Sequence, residues 1–258
     1  YASWDVDFIK CDDIANTEMF PDNPYSARKE IEMLRKAIDK CGRDMVLSLS
    51  PGPAPVWEHE HLAANANLWR MTGDFWDEWS KLHAMFERCY AWQEYVQPGA
   101  WPDCDMLPLG IIQLTEELPQ YRARKTRFTE EEQYMVMNLW CIFRSPLMMG
   151  GEMRDNDEFT LSLLQNRELI DMLKNSNGAR QFSRNETDGK GEIIWTSKGE
   201  NCKYVALFNT DDTEREISFN ITDISIGGVK YSVHDMWAHE EYTVTENEFS
   251  VRIIGNVP

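Results

Sequence analysis

The sequence predicts an α/β fold built on a parallel sheet, followed by an antiparallel β-sandwich module. Three observations carry this. Short apolar runs alternate with amphipathic helical patterns over residues 1–174. Beyond about residue 190, short strand-like runs follow one another with Asp, Asn and Gly turns and no long helix between them. Three acidic signatures, Phe8-Ile9-Lys10-Cys11-Asp12-Asp13, Leu68-Trp69-Arg70-Met71-Thr72-Gly73-Asp74 and Trp101-Pro102-Asp103-Cys104-Asp105-Met106-Leu107, each close a strand-like run. Carboxylates at successive strand ends are what a barrel enzyme places at its active rim.

The elements follow in order. Residues 6–11 form a buried strand. Asn23 can cap a helix with Pro24 at its first position. Ile31, Leu34, Ile38 and Cys41 then share one face until Gly42 stops the helix. Residues 45–49 are the next strand, halted by Pro51, Gly52 and Pro53. A short helix over 60–67 leads to a strand at 68–71. Trp79, Leu82, Phe86 and Cys89 recur at helical spacing. Thr129 and Glu132 make a capping box ahead of a helix over 134–143. Residues 146–149 are strand-like, 159–173 helical, and 175–190 a polar stretch. Strands are then expected at 193–196, 204–208, 216–219, 231–233, 242–244 and 249–253. The implied division is a catalytic portion over 1–174 and an antiparallel β domain over 175–258.

Composition narrows the partners. A net charge of −18 argues against nucleic acid and against an anionic membrane surface. No apolar run reaches the length of a transmembrane helix. None of the six cysteines stands in a Cys-x-x-Cys pair, so zinc-type spacing is absent, and free thiols are expected rather than a Cys11–Cys104 bridge. His59 and His61 are two apart on a helix and do not share a face, so no metal is expected there, and no cofactor. Asn185-Glu186-Thr187 and Asn220-Ile221-Thr222 match glycosylation sequons. Association into a homo-oligomer stays open.

Asp12 and Asp74 are the candidate catalytic pair. Glycoside hydrolysis with retention needs one carboxylate as nucleophile and one as acid/base, about 5–5.5 Å apart. Lys10 would share the strand face of Asp12, and its ammonium would favour the ionised nucleophile. Arg70 offers a second fixed donor. Trp69, Trp76 and Trp101 offer flat faces for a sugar ring. Three alternatives stand beside this. Asp12, Asp13 and Asp74 are residue types that also cap helices at βα junctions. Asp12, Asp13, Asp103 and Asp105 form a potential hard-cation set. A non-catalytic sugar-binding protein is the third, although binding alone does not need the carboxylate pair.

At these residues the sequence resembles glycoside hydrolase family 27, the α-galactosidase and α-N-acetylgalactosaminidase family. The likeness lies in four motifs in order: Trp4-Asp5-Val6-Asp7-Phe8-Ile9-Lys10-Cys11-Asp12, Trp69-Arg70-Met71-Thr72-Gly73-Asp74, Pro98-Gly99-Ala100-Trp101-Pro102-Asp103-Cys104-Asp105-Met106-Leu107, and Ser145-Pro146-Leu147. The resemblance implies a (β/α)8 TIM barrel from about its fourth strand, then an antiparallel β-sandwich. It implies that Asp12 is the nucleophile and Asp74 the acid/base, with Lys10, Arg70 and Asp105 touching the sugar. It further implies that three barrel strands precede this portion, as a missing N-terminal segment of the same enzyme, and that a last β-strand lies beyond it. Two departures stand out. Cys11 takes the place of an aromatic residue. The Glu that the family sets against the sugar 2-hydroxyl has no counterpart; Ser50 and Ala54 stand in that loop, closer to the small residues that admit a 2-acetamido group. The expected substrate is a terminal α-D-galactoside, with an α-N-acetylgalactosaminide as the alternative.

Overall fold

A computed structural model describes the chain except for residues 18, 114–122, 225–226, 229 and 256–258. Its first part runs β1 (Phe8–Asp12), α1 (Arg28–Cys41), β2 (Val46–Ser50), α2 (His59–Asn65), β3 (Leu68–Arg70), α3 (Trp79–Trp92) and β4 (Trp101–Asp103). The four strands lie side by side in chain order, all parallel. This is the βα alternation expected, and β2 is buried from Leu47 to Ser50, as strands covered on both faces are.

Next come β5 (Ile111–Gln113) and β6 (Arg124–Lys125), an antiparallel pair, then α4 (Glu130–Phe143), α5 (Glu158–Leu164) and α6 (Arg167–Asn175). The rest is antiparallel. β7 (Asn177–Thr187), β8 (Lys190–Lys198) and β9 (Lys203–Asn209) form one sheet. β10 (Arg215–Asn220) pairs with β13 (Glu248–Ile253), and β11 (Tyr231–Asp235) with β12 (Glu240–Val244). The chain divides into two compact units. One comprises Tyr1–Trp76, Glu87–Met106 and Ser145–Met148; the other comprises Asp77–Phe86, Leu107–Arg144 and Met149–Pro258.

The first unit is centred on its parallel sheet. Leu47, Leu49, Trp69, Cys89 and Cys104 are fully buried. In the second unit α4 is the central core helix, buried from Leu139 through Phe143. Phe143 meets Trp195 of β8 edge-to-face at 6.2 Å, and Phe86 meets Phe208 of β9 at 4.9 Å. The capping box holds: Glu132 N donates to Thr129 Oγ1 at 3.1 Å, and Thr129 N donates to Glu132 Oε2 at 2.9 Å.

Five expectations change. Strand β1 is not buried but alternates exposed and half-buried residues, because it stands at the edge of its sheet. Helix α1 starts at Arg28, not Pro24, because Tyr25 is tied across the loop by hydrogen bonds with Asn16. The helical pattern at 159–173 is two helices, since Asn166 accepts from Glu168 N and Leu169 N and restarts the helix as its cap. Residues 146–149 supply only a bridge from Met149 to Leu107. The polar stretch at 175–190 contains β7, the longest strand among the described residues. It lies at the edge of its sheet, where one face and one side need no apolar cover. All six cysteines are free, as expected, with Cys89 and Cys104 sulfurs 3.7 Å apart.

Candidate active site

Parallel pairing lines up the strand ends. Asp12 lies beside Ser50, Ser50 accepts from Arg70, and Arg70 lies beside Asp103. Residues in register share a face, so Asp12, Ser50, Arg70 and Asp103 make one row at the C-terminal ends of β1 to β4. One row lower stand Lys10, Ser48, Leu68 and Trp101. In a barrel this end carries the chemistry. The cavity at the opposite strand ends, lined by Asp7, Arg35, Arg43, Met45 and Asn67, carries none of the predicted pair.

Arg70 is the hub of the row. Its side chain is 6% exposed, and it gathers three acceptors. Nη1 donates to Ser50 Oγ at 3.2 Å and lies 3.1 Å from Asp105 Oδ1. Nη2 donates to Asp74 Oδ1 at 3.0 Å. The Asp74 side chain itself is 75% exposed, so the pair presents a carboxylate to solvent from a buried cation. Asp105 is fixed from below: Phe75 N donates to its Oδ2 at 2.8 Å, and its own N–H donates to Asp103 Oδ1 at 2.8 Å. Asp105 adopts a left-handed backbone (φ 78), a conformation costly for a residue with a Cβ and held here by those bonds.

Asp103 is 5% exposed, and burial pushes its carboxyl up to about 6. The neighbouring Asp105 charge pushes the same way, while the Asp105 N–H and the cations of Arg70 and Lys10 oppose it. By sequence alone, Asp103 belongs to a potential cation-binding set with Asp12, Asp13 and Asp105. Its place in the row was signalled by its two-residue spacing from Asp105 on a short strand. Asp103 and Asp105 accept from backbone N–H groups and face Arg70, which is an anion-recognition network rather than a cation shell.

The loops after β1 and β2 are joined. Asp13 N donates to Ser50 O at 2.9 Å, and Thr17 Oγ1 donates to Pro53 O at 2.8 Å. Ala54 is buried beside β3, its N–H donating to Arg70 O at 2.9 Å. Lys10 and Asp12 are exposed at the end of β1. Neither Asp12 nor Asp74 starts a helix: α1 begins at Arg28 and α3 at Trp79, so the capping alternative falls. Trp69 is corrected too. It is fully buried against Trp92, with ring centroids 5.8 Å apart, because alternation on β3 sends it to the face opposite Arg70. Trp76 is 40% exposed and Trp101 half-buried.

Comparison with known proteins places the chain in a family. A family model described as Alpha galactosidase A matches residues 1–175, and one described as Alpha galactosidase C-terminal beta sandwich domain matches residues 189–255. Alpha-galactosidase 2 of Arabidopsis thaliana is 26% identical over 98% of this chain and 59% of its own length. A GH27 β-L-arabinopyranosidase from Geobacillus stearothermophilus is 44% identical, with a TM-score of 0.90, covering 100% of this chain and 57% of that one. A variant of it solved with arabinose gives the same score and identity. The chain thus spans somewhat more than half the length of these relatives. With its parallel βα portion and antiparallel β module matched in order, the chain belongs to the Alpha galactosidase A family, glycoside hydrolase family 27.

Proposed function

We propose that the chain carries the catalytic pair of a retaining glycoside hydrolase acting on terminal α-D-galactosides. Asp12 is the nucleophile and Asp74 the acid/base, within a catalytic portion over residues 1–174, with the β domain over 175–258. The observation that carries this is Arg70, which holds Asp74 at 3.0 Å while standing in the row that ends at Asp12. The Asp12 carboxylate attacks the anomeric carbon as the bond to the leaving oxygen breaks, and that oxygen takes the proton of Asp74. Water then gives its proton to Asp74 and its oxygen to the anomeric carbon, releasing Asp12 with configuration retained. Lys10, Ser50, Ala54, Trp101 and Asp105 surround the sugar in this reading.

A second substrate has specific support. The relative at 44% identity is a β-L-arabinopyranosidase. A β-L-arabinopyranoside has the ring configuration of an α-D-galactoside without its hydroxymethyl group, so the same carboxylates serve both. The α-N-acetylgalactosaminide reading rests on the small residues Ser50 and Ala54. The test is kcat/KM of the full-length protein on nitrophenyl α-D-galactopyranoside, β-L-arabinopyranoside and α-D-N-acetylgalactosaminide, with product configuration followed by NMR. Turnover of the first with retention is the expected result. Turnover of the second in its place would move the assignment to the pentose. Sugar binding without turnover of any would make the chain a lectin-like module instead.

A further inference from the structure

We propose that Glu168, His234 and His239 form a binding site for a divalent transition metal of the zinc type, on residues that take no part in the proposed hydrolysis. The donor atoms of all three lie within 4.8 Å of one another. Glu168 Oε2 is 2.7 Å from His234 Nε2, and Glu168 Oε1 is 3.3 Å from His239 Nδ1. Tetrahedral zinc, with bonds of about 2.0–2.2 Å to nitrogen and oxygen, sets its donors roughly 3.3–3.5 Å apart, so small side-chain adjustments suffice. Two imidazoles and a carboxylate with open positions left for water suit zinc, cobalt or nickel rather than calcium or magnesium.

Three further features go beyond a chance surface ion pair. The outer nitrogen of His234, Nδ1, lies 3.8 Å from Glu241 Oε1. That is an ion-pair distance rather than a hydrogen bond; a small rotation of Glu241 would bring its carboxylate into hydrogen-bond range, where it would set the tautomer of the ligating imidazole and strengthen its metal-facing nitrogen. The turn that presents His239 is also built. Asp235 Oδ1 accepts from Trp237 N and Ala238 N, His239 N donates to Asp235 O at 2.8 Å, and Asn166 Nδ2 donates to Met236 O at 2.8 Å. These bonds hold His239 in a left-handed conformation (φ 57) and fasten its turn to the cap of the helix that bears Glu168. Finally, Glu168 stands 66 residues before His234 in the chain, so the fold alone brings it to the two histidines. The chain's net charge of −18 favours cation capture.

The experiment uses full-length protein stripped by chelator and then titrated with Co²⁺ and Zn²⁺. A single equivalent of cobalt is expected, giving visible d–d bands without the near-ultraviolet charge-transfer absorption of a thiolate. Saturating zinc should raise Tm by about 2–4 °C. Glu168→Gln, His234→Ala and His239→Asn should each abolish both signals. Asn tolerates the left-handed backbone, so His239→Asn keeps the turn, and its metal-free Tm checks the fold. No uptake by the wild type would overturn the proposal. So would equal uptake by His239→Asn, or a thiolate spectrum, which would place the ion on exposed Cys41 or Cys202.

Discussion

Asp105 and Arg70 form a buried charge pair at the centre of the rim: Asp105 Oδ1 lies 3.1 Å from Arg70 Nη1, with both side chains largely buried. Asp105 Oδ2 is simultaneously occupied by the Phe75 N–H at 2.8 Å, so the carboxylate cannot rotate away from the guanidinium. That fixed anion aims Nη2 at Asp74. Arg70 thereby acts as a lever between β4 and the loop that bears the proposed acid/base.

Asp105→Asn tests the lever. The amide oxygen can still accept from Phe75 N, but its NH2 then faces Arg70, donor against donor. The buried guanidinium loses one of its two carboxylates. A stability loss of about 1–3 kcal/mol is expected, seen as a lower urea midpoint with unchanged slope. The fall in kcat/KM should be larger than the fall in stability explains. A variant of wild-type stability and activity would show that Arg70 is held by Ser50 and Asp74 alone.

Arg70→Lys should be no milder. A lysine ammonium is a point donor and cannot span Ser50, Asp74 and Asp105 at once. A loss of about 10²-fold or more in kcat/KM is expected, because misplacement of catalytic groups by about 1 Å has that scale. Recovery of near-wild-type turnover would mean that charge, not the planar fork, is what the site needs.

Asp103 predicts a pH dependence of stability. Its carboxyl is pushed up to about 6 in the fold, whereas an unfolded Asp titrates near 3.9. Between these values the folded state holds the proton that the unfolded state has released. The contribution of Asp103 is therefore complete below about pH 4 and is lost as pH rises through about 6. Asp103→Asn carries no such charge. Its stability relative to wild type should rise between pH 4 and pH 7, by up to roughly 2–3 kcal/mol. Urea unfolding of both proteins across that range checks it; parallel curves would show that the Asp103 charge is solvated or fully compensated by Lys10 and Arg70.

The residues explain what the sequence shows and what it hides. β1 to β3, the end of α1, α3 and α4 are legible because their apolar spacing is strong and their ends carry Gly42, the Pro51–Pro53 turn or the Thr129 capping box. β7 is hidden because an edge strand is stabilised by its ladder with β8 and needs few apolar side chains. The break at Asn166 is hidden because the same apolar spacing runs through both α5 and α6, and only a side-chain bond separates them. At the site, Asp12, Arg70, Asp74 and Asp105 stand out as chemistry-bearing types at strand ends. Trp69 adjoins Arg70 in sequence, yet period-two alternation sends it to the opposite, buried face. Asp103 draws its significance from burial, which spacing does not reveal.

The proposed carboxylate roles separate cleanly by substrate. Asp12→Ala should abolish turnover, and azide should restore it by forming the glycosyl azide. Asp74→Ala should keep fast glycosylation only with good leaving groups, so nitrophenyl substrates lose far less than alkyl glycosides; general acid assistance is worth about 10²–10⁴-fold. Azide rescue confined to the Asp74 variant at the glycosylation step would reverse the two roles.

Ser50→Glu tests who reads the sugar 2-position. Ser50 stands between Asp12 and Arg70 in the rim row, its hydroxyl accepting from Arg70 Nη1 at 3.2 Å. A carboxylate there would lie against the same guanidinium and could accept from a sugar 2-hydroxyl, while its bulk would collide with a 2-acetamido group. A site built to hydrogen-bond a hydroxyl discriminates strongly, whereas a small pocket merely tolerates bulk. The kcat/KM ratio of α-galactoside to α-N-acetylgalactosaminide should therefore rise at least about tenfold. Competition for Arg70 should lower kcat on both substrates equally, because Asp74 shares that guanidinium. The ratio isolates specificity from this common loss. An unchanged ratio with reduced kcat would show that Ser50 serves Arg70 alone and that the 2-position is read elsewhere.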